Sequence, residues 1–122
     1  MLYLCKEARL RIDRLHIIQI KKYSMPNYIV RFQLQHGTNQ HYLALKRLLI
    51  HAKFSKVIKG SDGLRYLLPQ GTYLAITEHS SNDVLKLSIM VAKRIRLRYQ
   101  IFVTEAAAYA WANLDLASPH EK

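Results

Sequence analysis

The chain has 122 residues, half of them hydrophobic and 22% charged: enough for one domain with a modest core, and too mixed for a disordered tail or a membrane bundle. Nineteen Lys and Arg against eight Asp and Glu leave a formal charge of +11, which favours a polyanionic partner such as nucleic acid or an acidic surface. A single cysteine, Cys5, excludes an internal disulfide framework, no apolar run reaches the ~18 residues of a membrane span, and no secretion signal opens the chain, so a cytoplasmic protein with no membrane partner is expected.

Taken in chain order, residues 1–24 are basic and ambiguous. Leu10, Ile12, Ile18 and Ile20 alternate as in a strand, while Leu10, Arg14, Ile17 and Ile18 suit a helix equally. Pro26 interrupts any regular element, so this stretch reads either as a leader ahead of an initiating Met25 or as one extra element. The domain itself is expected over 25–114, with 115–122 as a tail that frays from Ser118.

From Tyr28 the pattern sharpens. Tyr28, Val30, Phe32 and Leu34 alternate on one face of a strand, with Arg31 on the other. His36 to Asn39 break it and offer helix caps, and Tyr42, Leu45, Leu48, Leu49 and Ala52 then recur at helical spacing, predicting a helix over Asn39–Lys53. Phe54–Lys59 reads as a second strand, Asp62-Gly63 as a turn, and Leu64–Leu68 as a returning strand that Pro69-Gln70-Gly71 bends before it continues through Thr72–Thr77. Ser80 to Asp83 can cap a second helix with Val84, Leu87, Ser88, Val91 and Ile95 as its buried stripe. Leu97–Val103 closes the series as a strand, and Thr104 with the following alanines predicts a short helix bearing Tyr109 and Trp111.

The order from Tyr28 is βαββαβ, an α+β chain. Two helices must bury their stripes on one face of an antiparallel sheet, which is the ferredoxin-like sandwich, and the other face is left to solvent or a partner.

Several stretches resemble the GhoS-type antitoxins: YIVRF, HAKFSKVI, the turn GSDGLRYLLPQGTYLAIT, the capped SSNDV and the closing FVTEAAAYAW. The likeness covers about residues 26–112 and rests on element order, loop lengths and scattered apolar and turn positions. It implies an endoribonuclease component of a type V toxin–antitoxin system, with a fold similar to the ferredoxin-like CRISPR adaptation nucleases, acting on or binding messenger RNA. Those nucleases hold a divalent metal on an Asp near the end of the first strand. Here the region reads Gln33, Leu34, Gln35, so a hard cation has no anionic oxygen there and the implied cleavage is metal-free, without a cofactor.

Metal-free RNA cleavage needs a base for the 2′-hydroxyl and cations for the charge that develops on phosphorus. His36 and His41 flank the start of the first helix and are the candidate acid and base; the alternative is two solvent-exposed loop histidines. Lys46 and Arg47 are the candidate transition-state cations. Arg31, Lys46, Arg47, Lys53, Arg65, Lys93, Arg94, Arg96 and Arg98 are the candidate phosphate contacts, against the alternative of a solvated basic surface; Lys56 and Lys59 add to the first concentration. Tyr28, Tyr66, Tyr73 and Tyr99 fall on strands, where an exposed ring stacks a base and a buried one only packs. The reading of another class is a non-catalytic binding module, pairing sheets edge to edge as a homodimer.

Overall fold

The alternation along Tyr28, Val30, Phe32 and Leu34 becomes the centre of the computed structural model, which describes residues 25–122; the leader and extra-element readings of residues 1–24 lie outside the described residues. The elements are β1 (Asn27–Leu34), α1 (Asn39–His51), β2 (Val57–Lys59), β3 (Arg65–Leu67), β4 (Thr72–Ile76), α2 (Ser81–Lys93) and β5 (Tyr99–Glu105). β1 is hydrogen-bonded on both edges, to β4 and to β5, and all pairings are antiparallel.

All four alternating side chains of β1 are buried, together with Tyr73 and Ala75 of β4. Leu45 and Leu49 of α1 and Val84, Val91 and Ala92 of α2 close over them, with Ile101 and Val103 at the margin. Burying each of the larger apolar side chains contributes roughly 1.5–3 kcal/mol, and both predicted stripes find the same sheet face except for Leu87, which is left 39% exposed. The helix starts follow the capping residues. Thr38 accepts from the His41 amide at 3.4 Å, and Ser80 from the Asp83 amide at 3.2 Å.

This is the ferredoxin-like α+β arrangement, with one alteration. The chain entering β2 meets the outer edge of β4 at a single position, where Ser55 and Leu74 exchange backbone hydrogen bonds of 2.7 and 2.8 Å. It then leaves the sheet, and β2 pairs with β3 as a separate two-stranded hairpin. The bent third strand of the sequence reading is therefore two strands in two sheets. Pro69 lacks an amide for the ladder, the turn closes with Thr72 donating to the Pro69 carbonyl at 2.9 Å, and Gly71 takes φ +80°.

The short helix expected after Thr104 is absent. Thr104 and Glu105 belong to β5, and residues 106–112 run as irregular chain. Nor does the end of the chain fray. Leu67 donates to Asp115 and Ala117 donates to Arg65, at 2.8 and 2.9 Å, so the segment adds to the free edge of β3; the Lys122 carbonyl accepts from the Lys56 amide at 3.1 Å and the Ser55 hydroxyl at 2.7 Å. Trp111 and Leu114 pack with Ile29, Ile58, Leu68 and Leu74 in a second, smaller core on the side of the sheet away from the helices. No helix among the described residues is long and apolar enough to cross a membrane.

Gly71 joins two requirements. Its φ is left-handed, and a Cβ there would press on the Phe32 carbonyl oxygen of the neighbouring strand. Gly63 also has a left-handed φ, of +83°, but an added Cβ would meet open space. Gly63→Ala should therefore lose only the conformational term, about 1 kcal/mol, while Gly71→Ala loses that plus the strain of moving β1, about 3 kcal/mol in all. Urea unfolding of the two variants checks the order; equal losses would mean the β1 contact is relieved without cost.

Candidate nucleic-acid interface

The register of β1 fixes what its second face presents. Ile29, Arg31 and Gln33 lie opposite Thr104, Phe102 and Gln100 of β5, and Ile29 and Arg31 lie opposite Leu74 and Thr72 of β4. The C-terminal segment covers the Ile29 and Leu74 end. The other end is bare among the described residues: Phe102 is 70% exposed, and Arg31, Gln33, Gln100 and Arg98 are exposed along the same face. A hollow of about 550 Å³ lies beside this patch, lined by Gln33, Gln35, Arg98, Tyr99 and Gln100. The Gln35 amide donates to the Arg98 carbonyl at 2.9 Å, which extends the β1–β5 ladder under that hollow.

An exposed aromatic ring opposite Arg31, with Gln33 and Gln100 next along the strands and Arg98 beyond them, can stack a base, hold its phosphates and hydrogen-bond its edges. Phe102 was missed by the reading of the sequence, which looked to the tyrosines. Those are otherwise employed. Tyr28 and Tyr73 are 2% and 1% exposed in the main core, where Tyr28 donates to the His79 carbonyl at 2.6 Å and Tyr73 meets Phe32 edge to face; Tyr99 packs at the core margin. Burial holds the hydroxyls of Tyr28 and Tyr73 above the usual phenol range. Tyr66 leans on Trp111.

The candidate cations divide into three groups. Arg31 and Arg98 stand on the bare sheet face. Lys93, Arg94 and Arg96 are exposed at the end of α2 and in the turn that leads into β5, Arg96 with φ +64°. Lys46, Arg47, Lys53 and Arg65 are elsewhere. Lys46 is 3.0 Å from the Glu121 carboxylate, and Arg65 donates to the Ser118 and Glu121 carbonyls, so both fasten the C-terminal segment. Arg47 is exposed on α1, in the helical layer. Lys53 follows α1 with φ +73° and borders a hollow of about 280 Å³ with His79 and Asp83.

The histidines do not share a role. His41 completes a capping box: its Nδ1 accepts from the Thr38 amide at 3.0 Å while its own amide donates back to the Thr38 hydroxyl. His36 is exposed in the preceding turn with φ +57°. Among the described residues no group of three or more His, Cys, Asp and Glu is placed to hold a metal ion.

Lys56, counted in sequence as part of a basic surface, is 8% exposed. Its ammonium donates to the Pro69 and Thr72 carbonyls at 2.6 and 3.2 Å and lies 4.5 Å from the centre of the Tyr73 ring, so it clamps the turn that separates β3 from β4. Burial, with repulsion from Lys46 behind it, lowers its pKa to about 8. In the unfolded chain a lysine keeps its proton to about pH 10.4. Between those values the unfolded state binds more protons, so this group adds stability as pH rises, by about 3 kcal/mol across the whole interval. The stability gap between the native chain and Lys56→Met should widen in favour of the native chain from pH 7 to pH 10, measured by urea unfolding; a constant gap would show that Lys56 titrates as it does in water.

No protein-family model matches the chain, and no curated protein matches it.

Proposed function

We propose that the protein is an RNA-directed module that holds single-stranded messenger RNA across the bare half of its sheet, in the manner that its resemblance to the antitoxin family implies. The observation that carries this reading is Phe102, a large apolar ring left 70% exposed in mid-strand beside Arg31. Leaving such a ring in water forgoes roughly 1.5–3 kcal/mol of burial, which a stacked base restores on binding. Arg31 and Arg98 supply phosphate contacts on the same face, and Lys93, Arg94 and Arg96 extend the positive field towards its edge. Single strands suit the site better than duplex because their bases are free to stack.

Binding is the part that the geometry favours; cleavage rests on the resemblance alone. Lys46 is committed to Glu121 and His41 to a helix cap, so the proposed acid, base and cations lack a common site on the sheet. The second reading, a homodimer through sheet edges, draws on β5, whose outer edge pairs with no strand among the described residues. Sedimentation across a range of concentrations tests it.

Phe102→Ala should weaken binding of unstructured RNA about tenfold, the scale of one lost stacking contact, and leave thermal stability unchanged. Arg31→Ala and Arg98→Ala should each reduce the slope of log affinity against log salt by about 0.7, the value of one single-strand phosphate contact. Fluorescence anisotropy with labelled RNA reads both. Binding that ignores Phe102 would remove the sheet from the interface. If purified protein also cleaves, activity that survives EDTA and leaves 2′,3′-cyclic phosphate ends is the expected result; dependence on a divalent ion would contradict the metal-free route.

A further inference from the structure

A second hollow, of about 450 Å³, opens on the same side of the molecule as the sheet face. It lies at the β2–β3 turn and is lined by Lys59, Gly60, Asp62, Tyr66, Tyr109 and Trp111. Tyr66 and Trp111 have ring centres 5.5 Å apart and planes inclined at 58°, which makes an angled aromatic wall. Asn27 donates to the Tyr109 hydroxyl at 2.7 Å and so ties the third ring to the start of β1. Asn27 lies four residues from Arg31, about 14 Å along the strand, so the hollow is within reach of a short strand seated on Phe102.

Gly60 forms the floor. A Cβ there would meet Asp62 Oδ1 at 2.6 Å, Tyr66 at 3.1 Å and Trp111 at 3.4 Å, and its φ is not among the left-handed ones. The missing side chain therefore serves space and not backbone conformation, and the space is flanked by a carboxylate and two rings. Asp62 already accepts from the Leu64 amide on Oδ1 at 2.9 Å and from the Tyr66 hydroxyl on Oδ2 at 2.6 Å. Each oxygen keeps a further lone pair. The Tyr66 hydrogen bond, then that of Leu64, holds the carboxyl below the usual carboxylate range, so the group offers acceptors only.

Among the bases, two adjacent donors on one edge belong to guanine, whose ring N–H and exocyclic amine lie side by side. Adenine and cytosine pair a donor with an acceptor, and uracil flanks its one donor with two carbonyls; each sets a lone pair against the carboxylate. We propose that this hollow is a guanine-binding pocket, with Asp62 receiving the two donors, the aromatic wall of Tyr66, Tyr109 and Trp111 packing the ring, and Lys59 near the phosphate. For its place in the cell the proposal rests on the RNA reading, but the pocket is a separate site from Phe102. An organic cation is the other ligand an aromatic wall with a carboxylate can take; Lys59 and the +11 charge of the chain oppose it.

Trp111 is the only tryptophan of the chain, so its fluorescence reports this pocket directly. The full chain is titrated with the 5′-monophosphates of guanosine, adenosine, cytidine and uridine, with tetramethylammonium, and with short RNAs that carry or lack a guanine. Guanosine monophosphate should give a saturable change and bind about tenfold or more tightly than the other three, the discrimination of one bidentate pair. Asp62→Asn should abolish the preference, and Gly60→Ala should weaken guanine binding about tenfold while the protein still folds by circular dichroism. Phe102→Ala should leave the mononucleotide titration unchanged while weakening RNA, which separates the two sites. Guanine-bearing RNA should move Trp111 and guanine-free RNA should not. Equal response to all four nucleotides, response to tetramethylammonium in their place, or none at millimolar ligand overturns the proposal. If Asp62→Asn disturbs the turn, the nucleotide ranking of the native chain and the Gly60→Ala loss still decide it.

Discussion

Two amphipathic helices can bury one face of a three-stranded sheet and no more. β1 is hydrogen-bonded on both edges, so its two faces must be satisfied by different means. The helices take the face of Tyr28, Val30, Phe32 and Leu34. On the other face, among the described residues, lie the β2–β3 hairpin and the C-terminal segment, and their apolar residues (Ile58, Leu68, Trp111 and Leu114) reach as far as Ile29 and Leu74. Beyond them lies the Arg31–Phe102 pair, which no described residue covers. Among the described residues the patch is uncovered because the hairpin and the C-terminal segment end short of it, and its chemistry, an aromatic ring among guanidinium and amide groups, is what makes it a candidate interface.

Charge is partitioned by the same layout. A protein at +11 has cations to spare, and three of them work inside the fold. Lys56 clamps the turn between β3 and β4, while Lys46 and Arg65 secure the last residues of the chain through Glu121 and the carbonyls near it. The Lys46–Glu121 pair, with both side chains still partly open to solvent, is worth little by itself, about 1 kcal/mol. Its importance is geometric, because that segment also carries Leu114, and upstream Trp111, onto the second core. Arg31, Arg98 and the cations at the end of α2 make no comparable internal contact among the described residues, and they lie on or beside the bare face. Counting basic residues could not distinguish these groups; the difference is set by partners as far as 75 residues away in sequence.

The elements with strong periodicity were legible from the residues alone. β1 and both helices follow their apolar spacing and their Thr38 and Ser80 caps, and the ferredoxin-like order follows from them. Where the reading failed, a nonlocal contact outweighed a local preference. The alanines after Thr104 favour helix, but so short a run is marginal without a packed face, and Trp111 instead finds Tyr66 across the chain. Tyr28 and Tyr73 were ambiguous because an alternating strand does not say which of its faces the helices will cover. Yet a signal for Phe102 was present. If Tyr99, Ile101 and Val103 point to the core, Gln100 and Phe102 must point away, and a phenylalanine on the polar side of a strand is the exception that asks for a reason.

The hollow at the β2–β3 turn follows from the one alteration of the fold. Had the chain after Ser55 continued along β4, the Asp62 turn would have ended an ordinary edge strand. Because it leaves at Ser55, β2 and β3 form a hairpin apart from the sheet, and the C-terminal segment crosses from β5 to the free edge of β3 with Tyr109 and Trp111 lining the turn. The Lys56 clamp at Pro69 and Thr72, the left-handed Gly71 and the docking of the C-terminal segment all hold that departure in place. The same contacts that prevent a fourth regular strand therefore build a walled recess next to an open aromatic platform. A polymer with planar, hydrogen-bonding units at regular intervals is the ligand that could use both at once.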